Sequence, residues 1–123
     1  MADHPIVHIE IPSSNFQADS DFYAKVFGWQ IQSDPTFDYW MFRPQSGPGG
    51  GFIGLEPPAS AKINQPLIYI GTDNIEASLK DIEAAGGKTV MPKTEIPGTG
   101  WFAVFNDPAG NQMALYTAMN PAP

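Results

Sequence analysis

The chain has 123 residues, with six basic against thirteen acidic side chains, a net charge of −7, two histidines and no cysteine. No disulfide or thiolate metal site can form, and a site needing three histidines from one chain is excluded. The acidic balance argues against nucleic acid or an anionic membrane as partner. At this length one domain can bury most of its apolar surface without staples, and an apolar fraction of 42% supplies the core.

The first residues, MADHPIVHIE, lack a basic region followed by an apolar stretch, and no apolar run reaches membrane-spanning length, so the reading is a cytoplasmic protein. Ile6 to Ile11 alternates as a two-faced strand, with Val7, Ile9 and Ile11 on one side and His8 and Glu10 on the other. Pro12 to Asn15 breaks it and supplies capping oxygens, and Ser14 and Gln17 stand at capping-box spacing. The pattern predicts a helix from about Phe16 to Phe27, stopped by Gly28. Strands are predicted at Trp29–Ser33, Asp38–Arg43 and Gly51–Leu55, the last two separated by the Gly/Pro-rich stretch Pro44–Gly50, and Gly47-Pro48-Gly49-Gly50-Gly51 reads as a mobile loop. That loop does not bind phosphate, because it lacks the Lys-Ser/Thr pair and enters a strand.

The order of elements then returns. A Pro/Ala/Ser-rich linker over 57–65 leads to a strand at Pro66–Thr72, and Asp73 or Asn74 caps a helix carrying Ile75, Leu79, Ile82 and Ala85, ended by Gly86-Gly87. Strands at Lys88–Thr94, Trp101–Asn106 and Gln112–Thr117 complete the set. Asn15 and Asn74 are 59 apart, as are Phe16 and Ile75, Tyr23 and Ile82, and Gly28 and Gly87. The spacing predicts one domain, 1–123, built from two β-α-β-β-β units at 1–56 and 66–118. Each unit is too small to stand comfortably alone.

Several motifs together carry a family resemblance: His8-Ile9-Glu10-Ile11-Pro12, Asp21 to Trp29 with its F-Y-x-x-V-F-G-W run, Ile82 to Lys88, Pro97 to Ala103, and Asp107-Pro108-Ala109-Gly110-Asn111. In these the chain resembles the glyoxalase/bleomycin-resistance/dioxygenase (vicinal oxygen chelate) superfamily. The resemblance implies an α+β fold in which the two units form a cup-shaped, mostly antiparallel sheet system with helices outside. It also implies a small-molecule ligand in the cup and a homodimer. In the metal-dependent members four ligand positions converge, and they map onto His8, Gly54, Leu67 and Ala114. Only His8 has a lone pair to offer, so the expectation is no cofactor, with a divalent metal as the minority alternative.

The ligand-binding candidates are His8, Glu10, Tyr69, Trp101, Gln112 and Tyr116. His8 and Glu10 share a strand face and suit a polar anchor, or an acid/base pair for a substrate carbonyl or hydroxyl, against the alternative of a pair bonded only to each other. Tyr69 shares a face with Leu67, and Gln112 and Tyr116 share one with Ala114, as the polar tips of an otherwise apolar pocket. Trp101 follows the Pro97-Gly98-Thr99-Gly100 turn, a candidate rim. Most of the aromatics are expected in the core. The function expected is small-molecule binding without a metal, of which bleomycin-resistance-like sequestration is one form. The alternative is a metal-dependent lyase, isomerase or dioxygenase with irregular ligands.

Overall fold

The helices begin where side chains take over the first unpaired backbone donors. In the computed structural model, which describes residues 3–34, 39–56 and 61–119, the elements run β1 (Ile6–Pro12), α1 (Phe16–Phe27), β2 (Gln30–Asp34), β3 (Tyr39–Arg43), β4 (Gly49–Ile53), β5 (Leu67–Gly71), α2 (Ile75–Ala84), β6 (Lys88–Ile96), β7 (Gly100–Asn106) and β8 (Gln112–Ala118). The fold is α+β, and the β-α-β-β-β order occurs twice. No described helix is long and apolar enough to cross a membrane.

His8–Leu67 forms one unit, and Ile68 onward, joined by the chain start up to Val7, forms the other. The start belongs there because the Gly71 N–H donates to the Pro5 carbonyl at 2.8 Å. In the first unit the strand order is β2-β3-β4-β1, and in the second β5-β8-β7-β6. Neighbours are antiparallel except β1 with β4 and β5 with β8, which are parallel. Of the predicted linker, residues 57–60 lie outside the described residues, and so does Asp38 of the predicted third strand.

The two helix starts are wired alike. The Asn15 side chain accepts from the Ala18 N–H at 3.0 Å, and the Asn74 side chain accepts from the Ala77 N–H at 2.9 Å. The hydroxyls of Ser13 and Thr72 accept from the N–H groups of Asn15 and Asn74. Ser14 and Gln17 do not form the capping box: Asn15 is the cap, and Gln17 donates instead to Asp21 at 2.9 Å. Gly28 ends α1 in the left-handed region at φ 73°, a conformation glycine adopts without steric cost.

The first unit's core is aromatic. Trp29 is sandwiched between Tyr23, at 4.8 Å and 9°, and Phe42, at 4.6 Å and 18°, and Phe52 is fully buried beside Phe42. The second unit's core is mostly aliphatic, with Ile75, Leu79, Ala103, Phe105 and Leu115 buried together.

Candidate functional site

Strand register sorts the first unit's side chains onto two faces. His8 pairs with Gly49, Glu10 with Gly51, Met41 with Gly51, Gln32 with Met41, and Asp34 with Tyr39. Alternation therefore puts His8, Glu10, Tyr39, Met41, Gln32 and Asp34 on one face. Ile9, Ile11, Phe52, Trp40, Phe42, Ile31 and Ser33 occupy the other, the face that α1 covers.

On the first face Tyr39 links the two candidates. Its hydroxyl lies 2.8 Å from His8 Nε2 and donates to Glu10 Oε2 at 3.1 Å. Because that hydroxyl proton goes to the carboxylate, the matching His8 tautomer carries its proton on Nε2 and donates it to the phenol oxygen. The imidazole and phenol rings are near-parallel, 18° apart with centroids at 6.4 Å. Glu10 is buried and His8 half-buried. Burial holds the imidazole below its ordinary value of 6.5, so His8 is neutral at pH 7.

Tyr39 can lie there because β4 carries no side chains beside it. A Cβ on Gly51 would run into the Tyr39 ring and hydroxyl, and one on Gly50 would strike the Ile9 carbonyl and the Phe42 ring. The predicted loop is thus corrected: Gly49, Gly50 and Gly51 are strand residues, and their bareness lets β1 and Tyr39 close onto β4. Tyr39 is not among the ligand-binding candidates that the strand pattern marks. The signal available was its alternation with Met41, which becomes informative only once β3 is known to lie beside β4.

In the second unit Tyr69 pairs with Ala114 and Gly71 with Tyr116, so Tyr69, Gln112 and Tyr116 stand on one face of β5 and β8. Tyr69 is buried, Gln112 is exposed, and the Tyr116 hydroxyl donates a long bond of 3.4 Å to the Thr99 carbonyl. Trp101 departs from that group. It pairs with Thr117, one position out of phase with Tyr116, packs against the Ile75–Leu79 core, and has Lys93 Nζ 5.0 Å from its ring centroid. Its indole serves the α2 core and a cation–π contact.

The donor set does not fit a divalent metal. Gly54, Leu67 and Ala114 offer no side-chain lone pair, and Tyr39 already engages His8 Nε2. Among the described residues, no three His, Cys, Asp or Glu side chains come together as a metal-holding group.

The profile of the Glyoxalase/Bleomycin resistance protein/Dioxygenase superfamily matches residues 5–115. The anthracycline biosynthesis protein DnrV of Streptomyces peucetius is 32% identical over 130 aligned positions, covering 87% of this chain and 44% of that protein. A putative glyoxylase, CFP32 of Mycobacterium tuberculosis, is 35% identical over 69 positions, covering 56% of this chain and 25% of that protein. The chain spans less than half the length of these curated relatives. Among solved structures, a hypothetical protein from Bacillus halodurans C-125 superposes with TM-score 0.76 at 14% identity over 99% of both chains. Methylmalonyl-CoA epimerase from Mycobacterium tuberculosis does so with TM-score 0.66 at 12% identity, over 97% of this chain and 89% of that one. These two likenesses show the fold.

Proposed function

The chain belongs to the glyoxalase/bleomycin resistance protein/dioxygenase superfamily, and within it we propose a protein that binds a small organic molecule against the His8–Tyr39–Glu10 face without using a metal. One observation carries the reading: the Tyr39 hydroxyl bridges the imidazole and the carboxylate at 2.8 and 3.1 Å. A neutral imidazole, a phenol and a carboxylate in sequence form a polar line on a sheet face whose neighbouring strand is bare at Gly49 and Gly51. Such a line can orient a carbonyl or hydroxyl and move a proton toward Glu10.

Holding a ligand without transforming it, as in bleomycin-resistance-like sequestration, is the form we favour. The net charge of −7 favours a cationic guest through long-range attraction. The alternative of a metal-dependent lyase, isomerase or dioxygenase needs donors that Gly54, Leu67 and Ala114 do not supply. We place the protein in the cytoplasm as a homodimer; Phe22, Val26 and Phe27, each more than half exposed on α1, support pairing. Light scattering that returns the mass of one chain would overturn the dimer.

A thermal-shift screen of small carbonyl and hydroxyl compounds tests the binding reading. Stabilising compounds are expected, since a ligand of the folded state raises stability by mass action. Tyr39→Phe should weaken them by about tenfold, one hydrogen bond's worth. A screen with no stabilising compound, or a hit indifferent to both Tyr39→Phe and His8→Ala, counts against it. Stoichiometric metal in chelator-free protein, lost in His8→Ala, would sink the metal-free part.

A further inference from the structure

The first unit's α1-covered face holds a groove of about 320 Å³, lined by Gln17, Ser20, Asp21, Ala24, Trp29, Ile31, Ser33 and Trp40. It lies on the face opposite His8 and Glu10 and has no part in the function proposed above. Its origin is legible in the repeat. Ser20 stands 59 positions before Leu79, and Leu79 is buried in the second unit's core. A leucine there fills the space between helix and sheet; the smaller serine stands at the wall of the groove. The Ser20 residue is 1% exposed, and its buried hydroxyl has no hydrogen-bond partner among the described residues. A buried hydroxyl without a partner is costly and uncommon, and this one belongs to a residue of the groove wall.

The remaining lining defines what fits. Among the described lining residues no side chain is basic, and Asp21 repels anions, so a neutral guest is favoured over a phosphate or carboxylate. Gln17 Nε2 is committed to Asp21 Oδ1 at 2.9 Å, which leaves the Gln17 carbonyl and the second Asp21 oxygen as acceptors along the helix. The Ser20 and Ser33 hydroxyls can each donate or accept. Trp29 is stacked on both faces and presents only its edge. Trp40, met by Phe16 at 61° and 6.4 Å, adds an apolar wall. The volume is at the small end of ligand pockets, so the groove suits one ring. We propose that it is a second binding site for a neutral polyhydroxylated ring, the chemistry of a monosaccharide unit.

Intrinsic tryptophan fluorescence titrated with D-glucose, methyl glucoside and glucose 6-phosphate tests this on the whole chain. Saturable binding of glucose is expected, with the phosphate ester at least about tenfold weaker. Methyl glucoside binding as well as glucose identifies a glycosyl group on a larger molecule as the guest, and its exclusion identifies the free sugar; either supports the proposal. Ser20→Leu, copying Leu79, should abolish binding, with a retained cooperative melting transition as the folding control. Trp40→Leu should weaken binding independently of any change at Ser20. Absence of saturable binding, tighter binding of the phosphate ester, or binding that survives Ser20→Leu would overturn the site. So would amide shifts on glucose addition that cluster at His8 and Glu10 and leave Ser20 and Ser33 unmoved.

Discussion

The two β-α-β-β-β units start their helices with one wiring diagram and then diverge in what they place around it. Ser13 and Thr72, Asn15 and Asn74, and Ala18 and Ala77 each sit 59 apart and make equivalent bonds. Beyond the caps the second unit packs Leu79 and Ile82 against Ala103, Phe105 and Leu115. The first stacks rings and leaves the Ser20 hydroxyl without a partner among the described residues. It also carries the His8–Tyr39–Glu10 line on its other face, where the second unit has Leu67 and Tyr69 at the positions matching His8 and Glu10. Local backbone chemistry is shared, whereas the faces that could meet a ligand are specialised in one unit. Repeat symmetry is kept where backbone donors must be satisfied and lost where side chains are free to vary.

The bare strand β4 gives the largest expected effect. Gly50→Ala drives a methyl into the Ile9 carbonyl and the Phe42 ring, and a backbone atom cannot step aside without parting β1 from β4. We expect a loss of ~3 kcal/mol or more, seen as a collapse of the denaturant midpoint. Gly51→Ala meets the Tyr39 ring and hydroxyl first, a side chain that can swing away, so it should cost less and instead free His8 and Glu10 from Tyr39. Equal losses from the two would mean that the glycines serve pairing alone.

Next comes the contrast at the serine and leucine. Leu79→Ala removes a buried side chain and should cost about 3 kcal/mol. Ser20→Ala removes a hydroxyl that has no partner and should fall within ~0.5 kcal/mol of the parent or stabilise it. If the two cost the same, the first unit's helix face is as tightly packed as the second's. Smaller still, Asn15→Ala and Asn74→Ala should each cost about 1 kcal/mol. Their near-equality is the measurement that says the cap wiring is shared in energy as well as geometry.

Much of this was readable in the chain. Asn15 and Asn74 stand at the 59-residue offset and both cap their helices, and α1 runs from Phe16 to Phe27 as the pattern predicts. His8 and Glu10 fell on one face from alternation alone. Tyr39 was not readable, because its role depends on β3 lying beside β4 and on Gly51 opposite, a long-range pairing that leaves no local trace. The glycine run looked like a loop because propensity disfavours glycine in strands; close approach of Ile9 and Tyr39 reverses that preference. Trp101 was placed at a pocket rim from its neighbouring turn, yet register sets it one residue out of phase with Tyr116 and against the α2 core. A shift of one residue exchanges faces, and a turn motif does not fix that phase.

The smallest effect separates the units by titration. In the unfolded chain His8 takes up its proton near its ordinary value of 6.5, whereas in the folded chain burial lowers that value. Below about pH 6.5 the unfolded state therefore binds more protons, and stability must fall as pH drops through the window beneath that value; above it the imidazole is neutral in both states and contributes no slope. The charged and titratable groups sharing its face are Glu10, Tyr39, Asp34 and Arg43, and the cause of the shift is burial. His8→Gln should flatten the loss of stability as pH drops below about 6.5 relative to the parent, measured by denaturant midpoints. The matching position of the second unit is Leu67, with nothing to titrate. An unchanged slope in His8→Gln would mean that the imidazole stays in contact with water and that the polar face of the first unit is solvated, not set apart.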